Sequence, residues 1–422
     1  MVMINGFMER NRIFYGWVIV FCSVILLALA LGMFSSTNSL FVIPICDSLG
    51  FSRGQFTLYR TVVTLVSAFL MPFYGRVIQK IGVKKVLFTG SLMLGIVTIG
   101  YSFAANLWHF YVLAFINGLF ASSISFMSIG VLVNAWFDGK KGLATGLAYA
   151  GSGLGGAIMI PVVSNIIEVS GWQWAYRFMG LLGIAIMMPV IALFVKNSPE
   201  IMGLKPLAPN NSEREKIPAV IDQFSFREAL HTPKFWMLAT AFFLINFFAS
   251  ATNTHSAPYL SDLGYTTVFV SYVIALFMIF LTVGKIILGF VYDHFGAMAG
   301  NIIVCIFCLG FPILALLSHI PAIPWFYAVF IGMASCGVSI PIPVLIVRHF
   351  GNKDFPTIFS FCVMISTLAQ SVSVPAMGTV HDLTGSYGPA WIILLFTSVI
   401  ITVCLIGVEI INRNVKKINL KA

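Results

Sequence analysis

The sequence predicts an all-α polytopic membrane protein in which twelve transmembrane helices form two six-helix halves. Of the 422 residues, 59% are hydrophobic and only 9% are charged, whereas soluble domains carry about 25% charged residues. A helix needs about 20 apolar residues to cross a bilayer, so twelve crossings would use about 240 residues and leave the rest for loops. This composition excludes a soluble enzyme, a disordered protein and a secreted disulfide scaffold.

Twelve apolar segments follow one another along the chain. The first, near 17–45, is longer than the apolar core of about 7–15 residues in a signal peptide, so we interpret it as a span. All eight Trp residues lie at or near predicted helix ends or in short loops, as in an interfacial aromatic belt. The predicted spans are 17–45, 52–74, 84–104, 107–137, 141–168, 174–196, 234–262, 267–293, 298–318, 323–350, 354–382 and 387–412.

A change of composition after the sixth span indicates the domain division. Residues 197–233 are rich in Pro, Asn, Glu, Arg and Lys. We therefore expect an N-terminal six-helix half at 1–196, a cytoplasmic linker at 197–233 and a C-terminal six-helix half at 234–422. A short amphipathic helix is expected within the linker, near 223–230.

The basic residues predict the orientation of the chain. The formal charge is +10, and 20 of the 24 Lys and Arg fall in six segments that share one side if the chain crosses twelve times. By the positive-inside rule that side is cytoplasmic, so both termini are expected in the cytoplasm of a multi-pass protein of the cell membrane. Topology thus accounts for the basic balance, and we expect the lipid bilayer, but no nucleic acid, as a partner.

The two halves repeat each other. Four ordered landmarks recur after 214 residues, and a fifth recurs after 215. The pairs are Leu49 with Leu263, Gly75 with Gly289, Gly118 with Gly332, Gly171 with Gly385, and Thr37 with Thr252. A parallel repeat of six helices resembles the major facilitator fold, in which the substrate site lies near the membrane midplane between the halves.

The loop after span 2 resembles the signature loop of that superfamily. Its glycines allow close helix approach, and its basic cluster can meet acidic groups or helix ends in one conformation and release them in the other. The superfamily's usual Asp is Gln79 here, which weakens any ion pair from this loop. The alternative is a loop that is basic only because it faces the cytoplasm. The predicted conformational latch consists of Gly75, Lys80, Gly82, Lys84 and Lys85, with Gly289 and Asp293 from the equivalent loop.

Lys285, in span 8, is the clearest ionisable residue inside the membrane. It lies eight residues before Asp293, or about 12 Å along a helix. A Lys at the centre of a span costs about 2.5–3.5 kcal/mol on insertion scales. All 14 Asp and Glu can be placed at span ends or in loops, so we expect Lys285 to bind a substrate anion. The alternative is a side chain that extends to the cytoplasmic interface.

Arg60, in span 2, is the second intramembrane cation. Counted from the equivalent residues Gly75 and Gly289, it lies about 16 Å from Lys285 along the helix axis. One small anion could not contact both side chains in a single pose. We interpret Arg60 as a residue of the outer vestibule that attracts anions, or as a structural residue.

Polar residues in four other spans are further candidates for the transport path. The runs at 35–39 in span 1 and 250–256 in span 7 interrupt the hydrophobic pattern of equivalent helices, where a discontinuous helix could line a cavity. His255 could equally be a hydrogen-bonded packing residue. The predicted substrate-binding residues besides Lys285 are His255, Asn117, Asn253 and Gln370.

Several motifs together resemble the monocarboxylate and oxalate–formate branch of the major facilitator superfamily. The resemblance runs nearly end to end, and the motifs in combination are specific to the branch but not to a substrate. They are Tyr15-Gly16-Trp17, the glycine-rich span 5 followed by Gly171-Trp172, the loop Ser198–Pro206, Phe235-Trp236, and the segments His255–Gly264, Gly284–Asp293 and Asp382–Ala390.

The resemblance implies a small organic anion bound by Lys285, with His255 lining the same cavity. In that branch, position 285 is usually an Arg that binds the substrate carboxylate, and Lys is not equivalent to Arg. The oxalate exchangers also use a Lys in span 11, which this chain lacks, and this argues against oxalate. Animal monocarboxylate carriers place an Asp where Leu281 stands here, so proton coupling through that carboxylate is not available.

We therefore predict a secondary active transporter of a small monocarboxylate such as lactate, pyruvate or formate, working by alternating access. Coupling would be proton symport or anion exchange, and we expect a functional monomer. No cofactor or metal is predicted, because the seven Cys lie in apolar runs and no enzyme-like pair of side chains is evident. The alternatives are an exporter of drug-like or hydrophobic compounds and, in another class, a non-transporting membrane sensor with the same fold.

Overall fold

The computed structural model describes residues 14–51, 53–208 and 223–419, and these residues form helices and loops with one isolated bridge between Phe137 and Leu207. Among these residues, eleven helices are long and apolar enough to cross a membrane, and the number is twelve if a bent pair of helices forms one span. The all-α prediction is thereby confirmed. The spans are α1 (Tyr15–Leu49), α2 (Arg53–Ile81), α3 (Val83–Tyr101), α4 (Leu107–Trp136), α5 (Lys141–Ser170), α6 (Trp172–Leu193), α7 (Pro233–Asp262), α8 (Thr267–His294), α9 (Gly296–Leu316), α10 (Ile323–Val338 and Pro341–Phe350, bent by 40°), α11 (Phe355–Thr384) and α12 (Gly388–Asn419).

Side-chain caps begin three of the spans. The side chain of Asn106 accepts a hydrogen bond from a first-turn N–H of α4, and Thr232 and Thr266 do the same for α7 and α8. Such caps satisfy N–H groups that have no partner inside the helix. At these three places the helix start therefore follows from the polar residue that precedes the apolar run.

The first six spans and the last six pack in the same pattern. Within the first set, α1 packs on α5, α2 on α4 and α3 on α6; within the second set, α7 packs on α11, α8 on α10 and α9 on α12. Between the sets, α5 packs on α8 and α2 on α11, two contacts that the repeat relates to each other. This internal symmetry is the one that the spacing of 214 residues predicts.

The equivalent helices α1 and α7 differ at their polar runs. α1 passes through a π-helix at Ala28–Met33 and a 3-10 helix at Asn38–Phe41. α7 is continuous from Pro233 to Asp262, and within it Thr252 donates to the carbonyl oxygen of Phe248 at 2.9 Å and Ser256 donates to that of Thr252. The expectation of a discontinuous helix is confirmed for α1 and wrong for α7, whose hydroxyls bind carbonyl groups of their own helix.

The linker begins by binding the loop between α4 and α5. The N–H of Leu207 donates to the carbonyl oxygen of Trp136 at 3.0 Å. The carbonyl oxygen of Leu207 accepts the N–H groups of Asp138 at 2.9 Å and Gly139 at 2.7 Å. These bonds hold the linker against the first set of helices.

The linker ends by binding the loop between α10 and α11. The N–H of Phe224 donates to the carbonyl oxygen of Phe350, and Oε1 of Gln223 accepts the N–H groups of Asn352 and Lys353, all at 3.0 Å. Phe350, Asn352 and Lys353 lie 214 positions after Trp136, Asp138 and Gly139. The linker thus binds both copies of one loop with the same pattern of hydrogen bonds.

The predicted linker helix is present as Phe226–Leu230, which begins with a capping box between Ser225 and Glu228. Residues 209–222 of the predicted linker, and Arg10, Arg12 and Lys421 near the predicted cytoplasmic termini, lie outside the described residues. We call the side of the bundle that carries the linker and the α4–α5 and α10–α11 loops the linker face.

Candidate functional site

A cavity of about 1030 Å³ lies between the two sets of helices. Its lining contains two cations, Arg60 and Lys285, and no Asp, Glu or His among the residues that the structure describes. Its polar lining residues include Ser35, Ser36, Asn38, Asn117 and Ser152 from the first set, and Asn246, Ser250, Asn253, Ser366 and Gln370 from the second. The wall is therefore hydroxyl- and amide-rich with a positive charge from each set.

Lys285 lies in the wall of this cavity and is only 4% exposed. Its Nζ donates to Oγ of Ser152 at 2.8 Å and to the carbonyl oxygen of Tyr149 at 3.3 Å, and it lies 5.2 Å from the ring centroid of Phe126. All three groups belong to the first set of helices. Within the described part of the chain no carboxylate lies at ion-pair distance from Lys285. The ammonium group is held by neutral oxygens and an aromatic face.

Toward the linker face from Lys285, the two sets of helices are in backbone contact. A Cβ atom on Gly289 would overlap the carbonyl oxygen of Gly142, and one on Gly75 would lie 2.6 Å from the carbonyl oxygen of Pro356. Gly75 and Gly289 are 214 positions apart, as are Gly142 and Pro356. The two predicted latch glycines therefore make two copies of one contact, between α8 and α5 and between α2 and α11.

Asp293 connects the end of α8 to the beginning of α5. Its carboxylate accepts the N–H groups of Gly142 at 2.8 Å and Leu143 at 2.7 Å. A negative charge is favourable at a helix N-terminus. At the equivalent place, residue 79 is Gln and the residue at the start of α11 is Pro356, which has no N–H. Gln79 therefore replaces the usual Asp of the signature loop at the place where the facing helix, α11, begins with one N–H donor fewer.

The other predicted latch residues lie on the linker face. None of their described hydrogen bonds reaches the second set of helices. Nζ of Lys84 donates to the carbonyl oxygen of Ala192 at 2.7 Å, and its backbone N–H donates to Asn197 at 2.8 Å. Gly82, with φ +85°, lies against the same Asn197. These bonds join the α2–α3 loop to the end of α6. Lys80 and Lys85 are exposed.

The structure brings four further predicted residues to the cavity that contains Lys285. Asn117 comes from α4, Asn253 from α7 and Gln370 from α11. Arg60 reaches the lining from α2, and its Nη1 donates to the carbonyl oxygen of Ser35 at 3.3 Å. These placements agree with the sequence-based choice of residues, while substrate contact by each of them stays a prediction.

His255 lies outside the lining of this cavity. Its Nδ1 is 3.2 Å from the hydroxyl of Tyr387, and its Nε2 is 3.1 Å from the carbonyl oxygen of Val374. Only 8% of the side chain is exposed. The ring therefore joins α7 to α11 and to the loop before α12, which matches the packing role that the sequence left open.

One buried ionic cluster was not predicted from the sequence. Glu409 in α12 accepts two hydrogen bonds from Arg348, each at 3.1 Å, and its Oε1 lies 3.0 Å from Nε2 of His349. Glu409 is fully buried. The signal that could have found it is an acid between apolar residues, Val408 and Ile410, facing a span that ends in Arg-His.

Comparison with known proteins places these features in a family. The sequence profile of the Major Facilitator Superfamily matches residues 24–374. An oxalate:formate antiporter of Oxalobacter formigenes is 29% identical over 253 residues, which span 59% of this chain and 56% of that protein. Monocarboxylate transporter 12 of Homo sapiens is 22% identical over 425 residues, which span 94% and 81% of the two chains. The crystal structure of the E. coli fucose:proton symporter FucP shares the fold, with a TM-score of 0.64 at 18% identity over 93% of this chain and 98% of that one.

Proposed function

Because this chain belongs to the Major Facilitator Superfamily and is therefore a transporter rather than an enzyme, we propose that its substrate is a small organic anion. The proposed substrates are monocarboxylates such as lactate, pyruvate or formate, carried by secondary active transport. The observation that carries the proposal is Lys285, a buried cation in the cavity wall whose described partners are all neutral.

The cost of burying Lys285 supports this choice of substrate. A Lys within a span is costly and commonly faces a cavity or a partner. One hydroxyl and one carbonyl oxygen accept two of its three N–H groups but do not neutralise its charge. A carboxylate that enters the cavity would do both, so the substrate itself supplies the missing negative charge.

The position of the contacts supports alternating access. The described hydrogen bonds between the two sets of helices lie at the level of Lys285 or nearer to the linker face, and they include one from Asn134 to Asn352 at 3.0 Å. By the positive-inside rule we assign the linker face to the cytoplasm. The conformation is then closed to the cytoplasm, and the halves 1–196 and 234–422 would rock about the cavity to open it.

Coupling is proton symport or exchange of one anion for another. In either case an occupied cavity lowers the cost of the rocking motion, because the bound carboxylate neutralises the buried charge of Lys285. Arg60, which is also without a carboxylate at ion-pair distance among the described residues, would attract anions to the outer vestibule.

Uptake of labelled L-lactate, pyruvate and formate into liposomes that contain the purified protein tests the proposal. We expect at least one of the three to accumulate, and Lys285→Ala to reduce its uptake at least tenfold. Lys205→Ala, which removes an exposed linker lysine, is the control and should leave uptake unchanged. Full uptake by the Lys285→Ala variant would remove Lys285 from the mechanism.

The same liposomes separate the alternatives. An exporter of hydrophobic compounds would move lipophilic dyes and ignore the three acids. A sensor that kept the fold would bind an anion, detected as a raised melting temperature, without transporting it. Either result would contradict the proposed function.

A further inference from the structure

We propose that the hydroxyl of Ser152 in α5 is a second ligand for the substrate carboxylate, which thereby bridges Ser152 and Lys285. This inference rests on the proposed function. It adds the group through which the first half of the transporter holds the anion that Lys285 holds from the second half.

Ser152 is bonded so that it can change partners. Its hydroxyl accepts a hydrogen bond from Nζ of Lys285 at 2.8 Å and donates its own hydrogen to the carbonyl oxygen of Tyr149 at 2.9 Å. The same carbonyl oxygen also accepts from Nζ of Lys285 at 3.3 Å. If the hydroxyl turns away from Tyr149, that carbonyl oxygen keeps the bond from Lys285 and is not left unsatisfied.

A carboxylate fits the donors that this arrangement supplies. Lys offers three N–H donors and Ser one O–H, and both side chains line the cavity. One carboxylate oxygen accepts the third N–H of Lys285, and the other accepts the hydroxyl hydrogen of Ser152. An Arg could make two such bonds alone through its planar fork, whereas Lys is a point charge. Ser152 thus supplies the second donor that Lys285 lacks.

The backbone of α5 brings this hydroxyl close to α8. A Cβ atom on Gly146 would overlap the carbonyl oxygen of Lys285, and one on Gly153 would overlap the hydroxyl of Thr282. These glycines on both sides of Ser152 permit the close approach of the two helices. The glycine-rich sequence of α5 therefore places one hydroxyl within reach of a cation from the opposite half.

The repeat shows that this pairing is particular to one side of the cavity. Ser366, which lies 214 positions after Ser152, accepts a hydrogen bond from Asn246 at 3.0 Å within its own half. The residue equivalent to Lys285 is Met71, which carries no charge. Of the two related serines, Ser152 is the one that contacts a cation.

The test compares the KM of four proteins in liposomes for whichever of L-lactate, pyruvate and formate the wild type transports. Ser152→Ala should raise KM about tenfold or more, since it removes a hydrogen bond to a charged group. Ser152→Thr keeps the hydroxyl and should stay within threefold of the wild type. Ser373→Ala is the matched control, because Ser373 donates to the third preceding carbonyl as Ser152 does but lies outside the cavity lining.

Competition by a neutral ligand separates the loss of this hydrogen bond from a structural defect, because a structural defect would weaken the binding of charged and neutral ligands alike. The amide of the transported acid should compete weakly with it, and to the same degree in the wild type and in Ser152→Ala. If Ser152→Ala does not fold, Ser152→Cys replaces the hydroxyl with a slightly larger group that is a weak donor, and it should also raise KM.

The outcomes separate the inference from the function on which it rests. If Lys285→Ala abolishes uptake while Ser152→Ala and Ser152→Cys keep the wild-type KM, the role of Ser152 is overturned and the transported class stands. If Lys285→Ala also transports normally, Lys285 does not bind the substrate and the bridge to Ser152 fails with it. If the wild type takes up none of the three acids, the proposed function itself fails. An equal loss in the Ala and Thr variants would likewise overturn the role of the hydroxyl.

Discussion

The carboxylate of Asp293, at the end of α8, accepts the backbone N–H of Gly142 at the start of α5, at 2.8 Å. A side chain of the last six spans thus caps a helix of the first six. The bond lies on the linker face, beside the backbone contact of Gly142 with Gly289. Closure at this face is therefore stabilised both by a charged hydrogen bond and by a packing contact, which substitutions can remove one at a time.

Asp293→Ala is expected to loosen the beginning of α5. The variant removes the acceptor for two N–H groups, and hydrogen bonds to a charged group are worth about 1.5–3 kcal/mol each. Hydrogen–deuterium exchange should show faster exchange at Gly142 and Leu143. Glu168→Ala is the control, since that exposed carboxylate lies at the other end of α5. Unchanged exchange in the Asp293 variant would contradict the capping role.

Gly289→Ala is expected to impair closure at the linker face. The added methyl group would meet the backbone of Gly142, which no side-chain rotation can relieve, and overpacking costs about 1–3 kcal/mol. Uptake should fall at least tenfold, with a lower melting temperature. Gly388→Ala should behave as the wild type, because a Cβ there would meet only Ser386, at 3.5 Å. Normal uptake by the Gly289 variant would mean that the close contact is dispensable.

Glu409→Gln is expected to destabilise the second half without altering substrate affinity. Breaking a buried ion pair costs about 3–5 kcal/mol, because one partner keeps a buried charge without its counter-ion. Thermal unfolding of the purified protein should therefore shift to lower temperature, while KM stays within twofold. Glu168→Gln, at an exposed position, should leave the melting temperature unchanged. A change of KM alone would instead connect the cluster to the substrate site.

Glu228 is expected to make the linker helix sensitive to acid. Hydrogen bonds from the backbone N–H and the hydroxyl of Ser225 hold the pKa of its carboxyl below the usual value of 4.5. A lowered pKa in the folded state means that the cap contributes stability above the usual pKa and loses it as pH falls through the lowered one.

Hydrogen–deuterium exchange of Phe226–Leu230, corrected for the intrinsic rate, should therefore accelerate as pH falls below about 4.5. Glu228→Gln should remove this pH dependence. Glu200→Gln is the control, since that carboxyl also has a lowered pKa, through a hydrogen bond from Ser198, but lies in the other part of the linker. Equal pH dependence in wild type and Glu228→Gln would contradict the capping box.

The sequence predicted the spans and the buried cation Lys285, because both can be recognised from the order of apolar and charged residues along the chain. Charge density and apolar length determine a membrane span, so the twelve spans were predictable. Spacing between repeats predicted the equivalence of Gly75 and Gly289, and the lack of a mid-span acid predicted that Lys285 would have no carboxylate at ion-pair distance among the described residues. The capping box of the short linker helix is likewise a local pattern.

Features that depend on which helix faces which could not be predicted in this way. Ser152 stands in a glycine-rich stretch whose pattern indicates packing, and its bond to Lys285 depends on how α5 and α8 meet. The polar run of α1 coincides with a break and that of α7 does not, although hydroxyls of both runs bind the preceding turn. His255 points toward Tyr387 instead of the cavity. The cluster around Glu409 joins two spans far apart in the chain, and no local pattern connects them.

The two bonding sites of the linker have a consequence for the motion of the protein. The linker binds two equivalent loops, 214 positions apart, through Leu207 on one side and Gln223 on the other. The 15 intervening residues can reach about 50 Å when extended. A connector of that length would let the two sets of helices separate at the linker face during the proposed alternating access, while each end of the linker stays bound to its own loop.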